Sequence, residues 1–374
     1  MQGLLSFMLL ASGQPALAFK AADFKKCSDS SFCVRLRGVQ QPTYAIQPES
    51  IQVSPDKLEA TLVSTDKKQF SLNLSAYEGA LRLHVTEPGN ERYEVQDVLT
   101  NSLKTAPLER TDASQAHMSL RLGEHEIQLK YEPFQLHVLG VLTLNQRSLF
   151  AIEHKKAKPD KSLAGEWEET FNGHTDSKPK GPQALSFDIT FSRFQNVYGL
   201  PERATNLSLP VTSGPGVQSD PHRLYNLDVF EYATHSPFGL YGSIPFMTAH
   251  RADCTVGVFW LNAAEMFVDV SKTAADTETQ WIAESGVLDL FVLLGPKPKD
   301  VLQTYSGLTG FTAMPQYFSL GYHQCRCVHP TTPTFLGLSP VEYRAILEGS
   351  YSFQHFRHSG GWITKSGVLA LFFF

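Results

Sequence analysis

The chain has no excess of positive charge: 32 Lys and Arg stand against 37 Asp and Glu, a formal net charge of −5. That balance excludes the basic footprint with which a protein grips nucleic acid. Beyond the first twenty residues no apolar run nears the roughly 18 residues needed to cross a bilayer. The closing "VLALFFF" is far too short, so no membrane span is expected. Internal repeats are lacking. Cysteine is scarce, 5 in 374 residues, so each pairing has to be argued singly. What is present is core material. Apolar residues make up 42%, with 25 Phe and 13 Tyr, which argues against disorder. The 22 Pro and 26 Gly recur at short intervals, a spacing that favours many short strands over long helices.

The first residues, "MQGLLSFMLLASGQPALAFK", hold an apolar run from Leu4 to Ala11 followed by Ala16-Leu17-Ala18. Small-x-small after an apolar run is the pattern of a signal-peptide cleavage site, which assigns 1–18 to a signal peptide. Entry into the secretory route alters the reading of the cysteines. Cys27 and Cys33 bracket "SDSSF", and in an oxidising lumen such a pair can close a disulfide; two free thiols in an irregular segment are the alternative. Asn73-Leu74-Ser75 and Asn206-Leu207-Ser208 are glycosylation sequons, and both agree with a lumenal address.

From about Tyr44 to Ile152 apolar and polar residues alternate with period two, as in "EATLVS", "QFSLNLSAY" and "ALRLHVTE". Alternation at that period sets one face on a core and the other in solvent, the mark of antiparallel sheets. Pro88-Gly89-Asn90 is a turn signal. Residues 153–166 are charged and read as a surface loop. Strand patterning resumes at "ALSFDITF" and continues through "TVGVFWLN", "MFVDVS" and "SGVLDLFVLLG", several of them apolar on both faces and hence deep. A helix is predicted at "KPKDVLQTYSGLTG", with Pro298 near its start and Gly310 past its end. "QYFSLGYHQCR" then reads as a new buried strand.

Three groups of stretches carry a family resemblance: "FKKCSDSSFCVRLRG"; "NVYGLPERATNLSLP" with "HRLYNLDVFEYATHSPFGLYGSIPFMTAH"; and "VGVFWLNAAEMFVDVS" with "GLTGFTAMPQYFSLGYHQCR". From about Asp23 to Arg326 the chain resembles glycoside hydrolase family 31, in its branch of endoplasmic-reticulum glucosidase II α-subunits (neutral α-glucosidases). The resemblance implies a mainly β architecture. A galactose-mutarotase-like antiparallel β-sandwich would occupy 23–297, with a connector helix and the first strand of a (β/α)8 barrel at 298–326. It also implies a retaining α-glucosidase that trims glucose from N-glycan oligosaccharides in the endoplasmic reticulum lumen. Such an enzyme works with a β-subunit and needs neither cofactor nor metal. The chemistry requires two carboxylates about 5 Å apart across the scissile bond. The family's Trp-Asn-Asp-Met-Asn-Glu and Trp-Thr-Gly-Asp motifs do not occur in these residues. A barrel takes about 250 residues, whereas 48 follow Arg326. Residues 327–374 therefore read as an aberrant or alternative tail, and no catalytic residue is assigned. The alternative function is a non-catalytic, carbohydrate- or subunit-binding sandwich.

Asp228, in "RLYNLDVF", is the substrate-binding candidate. In the family this segment reaches toward the barrel mouth, where a carboxylate accepts sugar hydroxyls; a loop cap is the bland alternative. Arg223, Tyr225 and Phe230 flank it. His323, Cys325, Cys327 and His329 in "HQCRCVH" have a C-x-C spacing tighter than structural zinc knuckles, and packing on one strand face accounts for them without a metal. Adjacent Glu168 and Glu169 point to opposite strand faces and are expected at the surface. Asp269 and Asp289, in apolar strands, are expected to be paired or to lie at strand ends.

Overall fold

Period-two alternation becomes two facing antiparallel sheets. The structure, a computed structural model, describes residues 21–154, 161–162, 165–228, 233–320, 322–327 and 368–373. The signal-peptide assignment, Phe230, His329 and most of the tail lie outside them. In the first sheet the order is Tyr44–Ile46, Lys57–Ser64, Gln69–Tyr77, Ala80–Thr86, Leu288–Leu294, Cys254–Trp260, Phe246–Arg251 and Val197–Gly199. In the second it is His222–Leu224, Met266–Lys272, Thr277–Ala283, Leu185–Phe191, Leu142–Leu144, Gln135–Val138, His125–Lys130, His117–Leu122 and Glu109–Ala113. Lys57–Ser64 alternates half-buried and buried residues along its whole length, and Leu58 and Leu62 face the core. Leu288–Leu294 inserts beside Ala80–Thr86, with Leu288 opposite Val85. The first sheet thus joins strands from both ends of the sandwich sequence.

The core is aromatic where the sheets meet. Phe187 of the second sheet lies edge-on to Trp260 of the first at 4.7 Å and stacks on Trp281 at 6.0 Å and 8°. Each such pair adds about 0.5–1.5 kcal/mol beyond its buried area. Both indole N–H groups are satisfied, Trp260 by the Val287 carbonyl at 2.9 Å and Trp281 by Thr279 Oγ1 at 3.0 Å.

Leu185–Phe191 and Leu288–Leu294 are buried on both faces because each sheet also has cover on its outer side. On the second sheet the cover is the N-terminal strap, whose Cys27, Phe32, Cys33 and Leu36 pack on Ala151, Ala184, Phe267 and Ile282. Over the first lies the helix Pro298–Thr309, with Val301 and Leu308 against Phe259, Phe291 and Leu293. Asp300 accepts the Lys297 amide at 3.0 Å, which caps the helix start, and Gly310 ends it at φ 97.

Ion pairs fasten the strap. Arg35 grips Glu153 through bonds of 2.7 and 2.9 Å, and Arg37 grips Asp269 through bonds of 2.6 and 2.8 Å. Asp289 is paired too, with Arg82 at 2.7 Å. Glu168 is exposed as expected, but Glu169 is not a surface residue. Its side chain, 10% exposed, accepts Lys25 Nζ at 2.6 Å, the Ser31 amide at 2.9 Å and Lys178 Nζ at 3.1 Å. Burial favours the neutral carboxyl, yet the donors, Lys25 foremost, hold it down at about 2. Strand alternation assigns each Glu a face but cannot show that a strap 138 residues away covers one of them.

The sandwich and its helix form one compact unit that ends at Gly310, and a second begins at Phe311. In the second, a 3-10 turn at Tyr317–Leu320 precedes the strand Tyr322–Cys327, which pairs antiparallel with Val368–Phe373, Tyr322 opposite Phe373. This strand carries His323, Cys325 and Cys327. Among the described residues no other strand joins it, and the barrel remains an expectation of the sequence.

Candidate functional site

Each sheet ends in a short edge strand: Val197–Gly199 in the first and His222–Leu224 in the second. The chain leaving each edge builds a ledge, and Asp228 lies on it. Gly199 has φ +112, and a Cβ there would lie 2.4 Å from the Phe246 carbonyl oxygen. Only glycine allows the chain to turn so close to its partner strand. That same carbonyl accepts the Leu200 amide at 2.8 Å.

Arg203 then reaches both edges. Its Nε donates to the Leu200 carbonyl at 2.7 Å, one terminal nitrogen to the Pro237 carbonyl at 3.1 Å and the other to the Arg223 carbonyl at 2.7 Å. The nitrogen on Pro237 also meets His222 Nδ1 at 3.4 Å. His222 Nε2 lies 3.1 Å from the Pro210 carbonyl. Because that carbonyl can only accept, Nε2 carries the proton and Nδ1 is free to accept from Arg203. Burial first, and then the charge of Arg203, push the imidazole down to about 4, so it is neutral at physiological pH. Burial alone brings the Arg203 guanidinium down to about 10, where it still carries its charge at neutrality.

Backbone bonds complete the ledge. The arm entering Asp228 and the arm at 235–242 are joined by Arg223 N to Pro237 O at 2.9 Å and Leu227 N to Leu240 O at 2.7 Å. Glu202 holds the second arm: its carbonyl accepts the Leu240 amide at 2.9 Å and its Oε2 the Gly242 amide at 3.1 Å. Asp228 itself is exposed. Tyr225 and Tyr241, 46% and 56% exposed, stand on the same two arms. Carboxylate and exposed rings are the groups that meet sugar hydroxyls and C–H faces.

The residues flanking Asp228 divide. Arg223 is buried and committed: its Nε donates to Glu265 at 2.7 Å, and its guanidinium packs over the Tyr225 ring at 4.5 Å. Tyr225 keeps a free edge. Cys27 and Cys33 are bonded, S–S 2.07 Å, inside the strap, where they pack on the second sheet. The segment between them is ordered, turning at Cys27–Asp29 and entering a helix at Ser31–Leu36. Asn206 is exposed in the ledge loop, whereas Asn73 is half-buried in the strand Gln69–Tyr77. Among the described residues the buried Asp188, Asp269 and Asp289 are all engaged. Asp269 and Asp289 pair with arginines, and Asp188 accepts the amides of Arg147 and Leu149 at 2.9 and 3.0 Å. Sequence reasoning missed Arg203 and His222, since neither stands in a charge or metal pattern.

Comparison with known proteins fits this architecture. The family described as "Glycosyl hydrolase 31 N-terminal galactose mutarotase-like domain" matches residues 71–269. A probable glucan 1,3-alpha-glucosidase of Arabidopsis thaliana is 38% identical over 358 residues, covering 84% of this chain and 38% of the relative. Among solved structures, the glucosidase II alpha subunit in a Glc1Man2-bound form superposes with a TM-score of 0.76 at 36% identity, over 80% of this chain and 38% of that one. The alpha subunit in the ER glucosidase II heterodimeric complex, solved with the binding domain of its regulatory subunit, gives 0.74 at 35% identity over 80% and 39%. The chain thus spans under two fifths of the length of these relatives.

Proposed function

This chain belongs to the glycosyl hydrolase 31 family, and on that premise we propose that it is the N-terminal β-sandwich of an α-glucosidase of the glucosidase II type. The whole enzyme trims glucose from N-glycans in the endoplasmic reticulum lumen and pairs with a β-subunit. The sandwich supplies a sugar-facing ledge through Asp228, and hydrolysis belongs to carboxylates outside the pairs described above. The observation that carries this reading is the exposed Asp228 between two braced arms, in a chain matched over 84% of its length by an α-glucosidase. A second reading is a sandwich that binds glycan or subunit without cleaving; the missing catalytic motifs favour it for these 374 residues.

The test is saturation-transfer NMR of the purified chain with an α-1,3-linked glucose disaccharide, beside a glucose-release assay. One carboxylate and two rings should give weak binding, about millimolar. Asp228→Asn should abolish the transfer, and glucose release should stay at the blank. Absence of transfer to wild type would refute the sugar-facing ledge. Release abolished by Asp228→Asn would place the chemistry here and refute the division of labour.

A lumenal address also predicts glycosylation, and the two sequons differ. Asn206 is exposed on a loop, where a glycan meets only solvent. Asn73 stands in a strand between Glu59 and His84 of its neighbours, where a bulky substituent must displace side chains. Mass spectrometry of the chain recovered from the endoplasmic reticulum should find Asn206 fully occupied and Asn73 much less so. An unmodified Asn206 would count against passage through the lumen.

A further inference from the structure

The geometry points to Arg203 as the positioning residue of the ledge, the group that fixes both arms of the Asp228 segment to the edges of the two sheets. This rests on the sugar-facing reading above, but the argument is geometric. Arg203 stands 3 residues from one partner and 20 and 34 from the others. Leu200 leaves the first sheet's edge strand, Arg223 belongs to the second's, and Pro237 lies on the returning arm. A single planar fork therefore joins three backbone segments through their carbonyls. Lysine cannot reproduce this, because its ammonium is a point charge on a flexible stem.

The lack of a carboxylate partner among the described residues separates Arg203 from the other buried arginines of the sandwich, including Arg92, which also donates to three carbonyls but keeps Glu87 at 3.7 Å. Arg35, Arg37, Arg82 and Arg223 each pair with a carboxylate and so hold elements together at little electrostatic cost. The hydrogen bonds of Arg203 go to three carbonyls and the neutral ring of His222. Burying a charge without a counter-ion works against folding, and the cost would serve no purpose if a neutral side chain could set the same backbone. Here the backbone to be set is the one that carries Asp228, Tyr225 and Tyr241.

Hydrogen exchange in the full chain tests this, comparing wild type with Arg203→Met and Arg203→Lys. The reporters are the amides of Arg223, Leu227, Leu240 and Gly242; the strand Leu288–Leu294 is the control. In the Met variant the reporters should exchange at least about tenfold faster while the control stays within about twofold. Lys should be intermediate, and about 50 mM guanidinium should restore protection to the Met variant, refilling the site with the same donors. Disaccharide saturation transfer should fall in step with reporter protection and return with guanidinium. If reporters and control loosen together, Arg203 serves the whole fold and the inference is wrong. It is also wrong if the reporters do not change. Should wild type give no transfer at all, the sugar-facing reading fails by itself, and the exchange data still decide whether Arg203 positions the arms. If the Met variant does not fold, the Lys variant carries the comparison: selective loosening supports the inference, and unchanged or uniform exchange refutes it.

Discussion

Gly199→Ala is expected to be among the most damaging single-methyl additions in this sandwich, costing about 3–5 kcal/mol. Two effects add. At φ +112 any side chain is strained, which alone costs about 1–3 kcal/mol. The new Cβ would also fall 2.4 Å from the Phe246 carbonyl oxygen and 3.2 Å from Met247 Cα. Both are backbone, so relief requires the edge strand to move. Movement breaks the hydrogen bond that the Leu200 amide donates to that carbonyl and displaces the Leu200 carbonyl that Arg203 grips. A control separates the two effects: Gly214 has φ +128 but nothing within 4 Å of its Cβ position. Urea unfolding of Gly214→Ala should therefore show the backbone strain alone, and Gly199→Ala that strain plus the clash. Equal losses in the two variants would mean that the crowding at Phe246 is relieved cheaply and that the edge is not rigid.

What could be read from the sequence follows the range of the interactions. Lys57–Ser64, Gln69–Tyr77 and Ala80–Thr86 are legible because alternation is a local signal and each strand pairs with its neighbour in the chain. The helix at Pro298–Thr309 is legible from Pro298 at its start and Gly310 just past its end, both local signals. Strands such as Leu288–Leu294 read as buried on both faces, but what covers them is not written nearby: Val301 of the helix meets that sheet through the opening at Gly257, where a Cβ would lie 2.6 Å from its methyl. The strap shows the same limit. "CSDSSFC" reads as a polar loop, yet Phe32, Cys33 and Leu36 gain a helical face because Phe267 and Ile282 lie beneath them. Asp228 is legible only through its family motif. Arg203 is not legible at all, since "LPERATN" looks like a solvated turn until two sheet edges are brought together over it.

The meeting of those edges has a consequence in acid. Ordinary histidine titrates near 6.5, whereas burial and the Arg203 charge push His222 down to about 4. Between these values the unfolded chain binds a proton that the folded chain refuses, so stability must fall as pH falls through the window. The neutral ring's contribution is fully present above 6.5 and lost by about 4; below that both states are protonated and the slope from this group vanishes. The gap corresponds to about 3 kcal/mol. Protonation is costly for a structural reason. The only proton-free nitrogen is Nδ1, which faces the Arg203 guanidinium at 3.4 Å, so the second proton sets two cations against each other in a buried place. Other groups titrate nearby in pH: His125 and His137 are also held down by burial, and Glu169 loses its stabilisation only between 4.5 and about 2. The experiment is therefore a difference. Urea unfolding of wild type and His222→Gln at pH 7.5, 6, 5 and 4.5 should give curves that converge as the pH falls. Glutamine keeps a donor for the Pro210 carbonyl but has no proton to gain. The variant should be less stable than wild type at pH 7.5 and lose about 2 kcal/mol less between 7.5 and 4.5. Parallel curves would mean that the ring beneath the ledge accepts its proton without penalty, and that the contact drawn between His222 and Arg203 does not exist in solution.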